Sequence, residues 1–427
     1  MFSRLRGDFP ILRARVGESP LTYLDSGATS QKPECVIDTF TEYFTQRNAA
    51  VHRGAHTLAV MATDTFEAGR EAVANLVGGA PNQVVWTKNA TEALNIVALG
   101  IDRASHGFGG EAAQRFAIGE GDSIVVTEME HHANLVPWQQ LAQATGAQLR
   151  WIPVTDDGEL DLTDLETIVD ETTKVLAFTH VSNVLGTINP VAELVARARE
   201  VGAFVVLDAC QSVPHMPVDF TDLDVDFAAF SAHKALGPTG LGVLWGKAEL
   251  LDALPPVLTG GSMITTVTMD SAEFMPAPQR FEAGTQPVAE VAAFATAIGY
   301  LTEVGLDRVF DHEVELGRQL LERIAQIPGI RVLGNAENRI GTVAFDVDGV
   351  HAHDVGQYLD SQGVAVRVGH HCAQPLHRRF GVTASTRAST YLYNNGEDVE
   401  RFLTALAEVR PFFGLADTPA AEKAQAS

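Results

Sequence analysis

Between about residue 83 and residue 246, short β-branched and aromatic runs alternate with segments of helical periodicity. That alternation predicts βαβ units around a mainly parallel sheet. The runs Val84 to Thr87, Ile124 to Thr127, Arg150 to Val154, Val175 to Thr179, Phe204 to Leu207, Phe227 to Phe230 and Gly242 to Trp245 read as strands apolar on both faces. Sheets of this kind hold ligands beyond the carboxyl ends of their strands, so the polar residues just past each run are the first site candidates. Thr91, His131, Asn183, Asp208, Gln211 and Lys234 stand there.

The alanine-rich stretch Val288 to Thr302 predicts one long helix, after which the pattern changes to α+β. A helix is expected near His312 to Ile327, strands near Ile330 to Leu333 and Gly341 to Val347, a helix near Asp354 to Gln362 and a strand at Val364 to Val368. The expected organisation is an N-terminal arm (1–20) packing on the small domain, a large α/β domain (21–287), a smaller α+β C-terminal domain (288–415) and a disordered tail (416–427) without periodicity. Residues 103–119, with Gly107, Gly109 and Gly110, read as a surface insertion between helix and strand.

Composition narrows the function. A chain of 427 residues with 46 % hydrophobic content can bury ordinary cores. Its net charge of −24 argues against a nucleic-acid or anionic-membrane partner, since both need clustered cations. Arg4, Arg6, Asp8, Arg13 and Arg15 interrupt every apolar run near the start, so no signal-peptide core forms there, and no apolar stretch reaches bilayer length. Cys35, Cys210 and Cys372 are too few and too scattered for a disulfide framework or a structural zinc site. A reduced, cytoplasmic, soluble protein with no metal of its own is expected.

The chemistry starts at Ser231-Ala232-His233-Lys234, directly after an apolar strand and before Gly237-Pro238-Thr239-Gly240. A lysine at a strand end is usually just solvated. This one has hydroxyl and imidazole neighbours suited to a phosphate, and a lysine in such a site can form a Schiff base with a carbonyl cofactor. Pyridoxal phosphate is the obvious candidate, and its separate demands can be met. Asp208 closes a strand where a carboxylate is costly to bury without a cation such as a pyridinium. Gln211 follows it. Asn89-Ala90-Thr91-Glu92 opens a helix whose free N–H groups suit an anion, with Thr91 adding a hydroxyl. Each residue alone could be a cap or a turn; their order along successive strand ends favours the cofactor.

The motifs Thr91-Glu92, Glu130-His131-His132-Ala133-Asn134, Thr179-His180-Val181-Ser182-Asn183, Asp208-Ala209-Cys210-Gln211 and Ser231-Ala232-His233-Lys234 closely resemble those of Suf-type (group II) cysteine desulfurases. These are class V, fold type I pyridoxal-phosphate enzymes. The resemblance runs from about Phe9 to Phe413 and continues in Arg280 to Thr285, Arg367 to Ala373 and Arg387-Ala388-Ser389. It implies that Lys234 carries the cofactor covalently, His131 stacks on its ring, Asp208 pairs with the ring nitrogen and Gln211 faces the phenolic oxygen. Thr91, Ser231 and His233 then hold the phosphate, with Glu92 beside them in the cofactor site. A Gly-Thr such as Gly284-Thr285 reaches the phosphate of the neighbouring subunit, which implies a homodimer. Asn183 and Arg387 clamp the substrate carboxylate, while His52, Arg53 and Arg367 line the site.

A free cysteine is most often an inert small hydrophobe. Cys372 stands instead after two histidines, near Arg367 and before Pro375, on a polar turn where positive neighbours stabilise charge on sulfur. The implied reaction converts L-cysteine to L-alanine: Lys234 moves the Cα proton, Cys372 attacks the substrate sulfur, and His131 shuttles a proton at the substrate thiol. The persulfide on Cys372 then awaits an acceptor for iron–sulfur cluster assembly. Selenocysteine lyase activity is the alternative; an aminotransferase or a kynureninase-like hydrolase would not need Cys372. In Val350-His351-Ala352-His353-Asp354, helical phasing puts His351 near the core stripe and leaves His353 exposed. Family members that deliver sulfur to a zinc-containing SufU-type partner carry a histidine at that place, so the resemblance implies a SufU-like acceptor.

Overall fold

The computed structural model describes residues 2–415; the expected disordered tail, 416–427, lies outside the described residues. Seven strands make the central sheet: β1 (Val84–Thr87), β2 (Ser123–Thr127), β3 (Gln148–Ile152), β4 (Thr173–Thr179), β5 (Phe204–Asp208), β6 (Phe227–Ser231) and β7 (Gly242–Gly246). They lie in the order β1-β7-β6-β5-β4-β2-β3, and β7 runs antiparallel to both its neighbours. Alternate residues of each inner strand point into two different cores: Val205 and Leu207 of β5 face one, Val206 the other. The first core is covered by α1 (Thr57–Leu76) and the nearly all-apolar α5 (Val288–Val304), the second by α2 (Ala90–Ser105) and α3 (Val136–Thr145). Behind the first also lies α4 (Val191–Val201).

Two expectations need correcting. β3 is not apolar on both faces; it is an edge strand, and Trp151 is 57 % exposed. The insertion 103–119 is not merely superficial, because Phe116 is buried to 1 % exposure against the rings of Phe204 and Phe227.

A second, antiparallel sheet holds β8 (Ile330–Val332), β9 (Thr342–Val347), β10 (Arg367–Gly369) and β11 (Ser385–Ser389) in the order β8-β9-β11-β10. It packs with α6 (Leu306–Ile324), α7 (Ala352–Ser361) and α8 (Gly396–Ala407) around its own core. The strand expected at Val364 to Val368 is split: Val364–Ala365 pairs in parallel with Thr22–Tyr23, and only Arg367–Gly369 joins the sheet. β11 has no apolar alternation, yet all five of its residues are buried. The N-terminal segment docks through Phe2 stacked on His312, the Arg6–Asp398 ion pair and Phe9 against Tyr300 and Tyr393. Among the described residues no single helix is long and apolar enough to cross a membrane.

Phe116→Ala removes a fully buried ring and should cost about 3–5 kcal/mol. Equilibrium unfolding in denaturant checks this, and an unchanged midpoint would return the segment to the status of a surface loop.

Candidate active site

The carboxyl ends of β1, β2, β4, β5 and β6 converge on a cavity of ≈ 200 Å³. Thr91, His131, Asn183, Asp208, Gln211, Ser231, His233 and Lys234 line it from this side; Arg367 and Arg387 close it from β10 and β11, and Gly27 and Ala28 from the N-terminal segment.

At one end the cavity meets the start of α2. Asn89 Oδ1 caps that helix by accepting from the Glu92 N–H (2.9 Å), and Ser231 Oγ accepts from the Ala90 N–H (2.9 Å), tying β6 to the helix start. Gly242 is required here, since a Cβ would lie 2.5 Å from the Asn89 backbone. Glu92 departs from expectation: it does not line the cavity, and its carboxylate reaches back to the Lys88 N–H (2.6 Å). A carboxylate turned into an anion site would repel the phosphate, so the cap geometry serves that end better.

At the centre, Asp208 is 4 % exposed, accepts from the Cys210 N–H (3.0 Å), and forms no ion pair with any described residue. A buried carboxylate of this kind needs a cationic ligand. Gln211 donates to the Gly27 carbonyl (2.9 Å) while its Oε1 is buried without a partner. Lys234 shares the cavity. His131 Nδ1 accepts from the Ala133 N–H (3.0 Å), so the ring proton sits on Nε2; burial, helped by the Lys234 charge, holds its pKa down at about 4. Burial likewise lowers His233 to about 4. The donor set therefore fits pyridoxal phosphate: an amine, an uncompensated carboxylate, a neutral flat ring and a helix start in one closed space.

At the other end stands Arg387, 1 % exposed. Its NH1 donates to the Asn183 carbonyl (2.7 Å) and its NH2 to Asp25 Oδ1 (3.1 Å), and Gly27 lets the chain pass, since a Cβ there would be 3.1 Å from the guanidinium. His371 and Cys372 both have left-handed backbones, φ 49° and 57°. Such strain persists only where surroundings enforce it. Here Asn183 Nδ2 donates to the His371 carbonyl (2.8 Å) and the His132 N–H to the Cys372 carbonyl (2.7 Å). Cys372 is half-buried at the rim rather than in the cavity lining, whereas Cys210 lies inside with its thiol pKa pushed up by burial and by Asp208.

His52, Arg53 and Thr285 are not brought into this cavity. His52 and Arg53 line a separate hollow with Glu282, and Thr285 lies beside Lys88 and Glu92. A chain of ion pairs links these outer segments, from exposed His52 to half-exposed Glu67, from Glu67 to Arg70, and from Arg70 to buried Glu282, whose carboxylate also takes the Trp86 N–H. Sequence reasoning passed over Asp25, Gly27, Glu130 and His371. Asp25 carried a signal, a carboxylate ending an apolar run as Asp208 does. Glu130, hydrogen-bonded by Thr127, Asn134 and the Thr179 N–H, is raised by burial to about 8. His351 is exposed as the cap of α7, not near the core, and His353 beyond it is 62 % exposed.

Fold and site together define a fold type I pyridoxal-phosphate enzyme. The chain belongs to the class-V aminotransferase family, whose profile, "Aminotransferase class-V", matches residues 22–402, and within it to the cysteine desulfurases. It is 54 % identical to the probable cysteine desulfurase 2 of Mycobacterium leprae over 96 % of this chain and 97 % of that one. Among solved structures, the Escherichia coli cysteine desulfurase CsdA aligns with a TM-score of 0.86 at 35 % identity, covering 96 % and 99 % of the two chains. The cysteine desulfurase of Thermococcus onnurineus aligns at 0.87 and 39 %, covering 95 % and 97 %.

Buried neutral histidines make stability depend on acid. His180 is lowered by burial to about 4 from an ordinary 6.5, so its contribution is full above about pH 6.5 and is lost as pH falls toward 4. His180→Gln should make the loss between about pH 6.5 and 4.5 smaller by about 2 kcal/mol. Parallel stability-against-pH curves for the two proteins would place that titration elsewhere.

Proposed function

We propose that this chain is a pyridoxal-phosphate-dependent cysteine desulfurase that converts L-cysteine to L-alanine and stores the sulfur on Cys372. The observation that carries the reading is a cysteine loop, forced into a left-handed turn, anchored by Asn183 and His132 to the rim of a cavity that holds Lys234 and Asp208. The cofactor, when bound, supplies an electron sink at the substrate Cα.

Lys234 Nζ holds the cofactor, then takes the Cα proton and returns a proton to the substrate once sulfur has left. Asp208 keeps the ring nitrogen protonated, His131 covers the ring and shuttles a proton at the substrate thiol, and Gln211 faces the phenolic oxygen. Thr91, Ser231 and His233 hold the phosphate with the α2 N-terminus. Arg387 and Asn183 fix the carboxylate, Arg387 as a bidentate fork, with Arg367 alongside. Cys372 Sγ attacks the substrate sulfur: an S–S bond forms as the Cβ–S bond breaks, and the electron pair stays on the carbon fragment that becomes alanine. The reading includes a homodimer, in which His52, Arg53 and Thr285 serve the neighbouring subunit; their position outside their own cavity supports it.

The sulfur is destined for iron–sulfur cluster assembly, as in the Suf-type members. The exposed His353 supports a SufU-like acceptor: imidazole can enter its tetrahedral zinc shell and free a thiol to take the sulfur.

Incubation of the holoprotein with L-cysteine should give about one alanine per site without reductant, the sulfur staying on Cys372, and continued alanine formation with matching free sulfide when reductant is present. Cys372→Ala should keep the cofactor's visible band and still bind L-cysteine, yet form alanine at least about a hundredfold more slowly. Undiminished alanine would remove Cys372 from the reaction. His353→Ala should leave basal alanine formation intact and abolish its stimulation by a zinc-loaded SufU-like protein; stimulation that survives makes His353 mere surface.

A further inference from the structure

Beneath the cysteine loop, Ser385 Oγ lies 3.0 Å from His371 Nε2 and 2.9 Å from His377 Nε2, and His377 Nδ1 lies 2.9 Å from the Ala373 carbonyl. A carbonyl only accepts, so His377 carries its proton on Nδ1. Its Nε2 is then a lone pair that Ser385 must fill with its hydroxyl hydrogen. Ser385 Oγ in turn accepts from His371 Nε2–H, which leaves a lone pair on His371 Nδ1. Burial lowers the pKa of both histidines, for His377 against the upward pull of the Ala373 and Gly369 carbonyls, and the nearby Arg387 lowers His371 further, which favours neutral rings.

Among the described residues His371 Nδ1 is buried without a partner, and so is Arg387 Nε, an obligatory donor. Both residues line the cavity, and their elements are adjacent, since Gly369 of β10 pairs with Ser385 of β11. An unmatched acceptor and an unmatched donor, each costly to leave bare, therefore line one cavity without bonding each other in the structure.

We propose that His377, Ser385 and His371 form a hydrogen-bond relay that fixes a lone pair on His371 Nδ1 for Arg387 Nε, and so orients that guanidinium for the substrate carboxylate. Asn183 and Asp25 already take two of its five N–H groups, and His371 would take a third. The two left over, one on each terminal nitrogen, are the fork that grips a carboxylate in two parallel bonds. Ser385 and His377 are positioning residues acting three and four links from the substrate. The inference rests on the reading of Arg387 as the carboxylate clamp.

Neutron diffraction from the holoenzyme at neutral pH should show hydrogen on His371 Nε2 and His377 Nδ1; hydrogen on His371 Nδ1 overturns the relay. In Ser385→Ala, which removes one oxygen and keeps the bulk, the holoenzyme should bind L-alanine about tenfold more weakly, read from the cofactor's absorption. Ethylamine, the same molecule without its carboxylate, should bind within about twofold of the parent. Unchanged L-alanine binding, or equal weakening of both ligands, overturns the proposal. Arg387→Ala that still binds L-alanine normally would instead sink the clamp itself, and the relay's purpose with it.

Discussion

The controlling constraint is that this site buries charge, and a buried charge must be matched or it destabilises the fold. Asp208 and Arg387 are 4 % and 1 % exposed, one at the centre and one at the end of the same cavity. The protein matches them differently. Arg387 is tied to Asp25 and to the Asn183 carbonyl, and so is held in place before any substrate arrives. Asp208 takes hydrogen bonds from Cys210 but pairs with no cation among the described residues, so its full compensation is left to a cationic ligand. Around both, His131, His233 and His371 are kept neutral by burial, which spares the cavity a surplus of positive charge beside Lys234, Arg367 and Arg387.

The same electrostatics separates the two cysteines near the centre. Cys210 is closer to the heart of the cavity, but burial and the Asp208 charge hold its proton on, so it is a poor nucleophile. Cys372 is at the rim, on a backbone whose two carbonyls are captured by Asn183 and His132. Asn183 thus joins both halves of the chemistry: its carbonyl holds Arg387 and its amide holds the cysteine loop. The Arg387 guanidinium is thereby held in register with the Cys372 loop through a single residue.

Much of this was legible in the sequence because strands buried on both faces leave a strong apolar signature, and their first polar residues fall at the site. Thr91, His131, Asn183, Asp208 and Lys234 were found in that way. What was not legible belongs to segments whose residues are buried without being apolar. β11, Ser-Thr-Arg-Ala-Ser, carries Arg387 and Ser385, yet it shows no alternation because Ser385, Arg387 and Ser389 bond to neighbours the sequence does not reveal. Glu92 was misplaced because a motif gives adjacency and not direction; the helix start that points Thr91 inward turns Glu92 back to Lys88. The Phe116 anchor was hidden by the glycines that surround it.

His52, Arg53 and Thr285 show a further limit, since a residue outside its own chain's cavity cannot be placed by reasoning on one chain. Their surroundings still constrain them. The Glu67, Arg70 and Glu282 chain runs from His52 to the segment that ends in Gly284-Thr285, and its Arg70–Glu282 link is bidentate and buried. Breaking such a pair costs far more than a surface ion pair, because it strands one charge in the interior. The two outer segments are therefore fixed relative to each other and to β1, whose Val84 carbonyl and Trp86 N–H they also engage. A unit locked in this way keeps both segments in register, and the strand that leads to the α2 start is held by the same bonds.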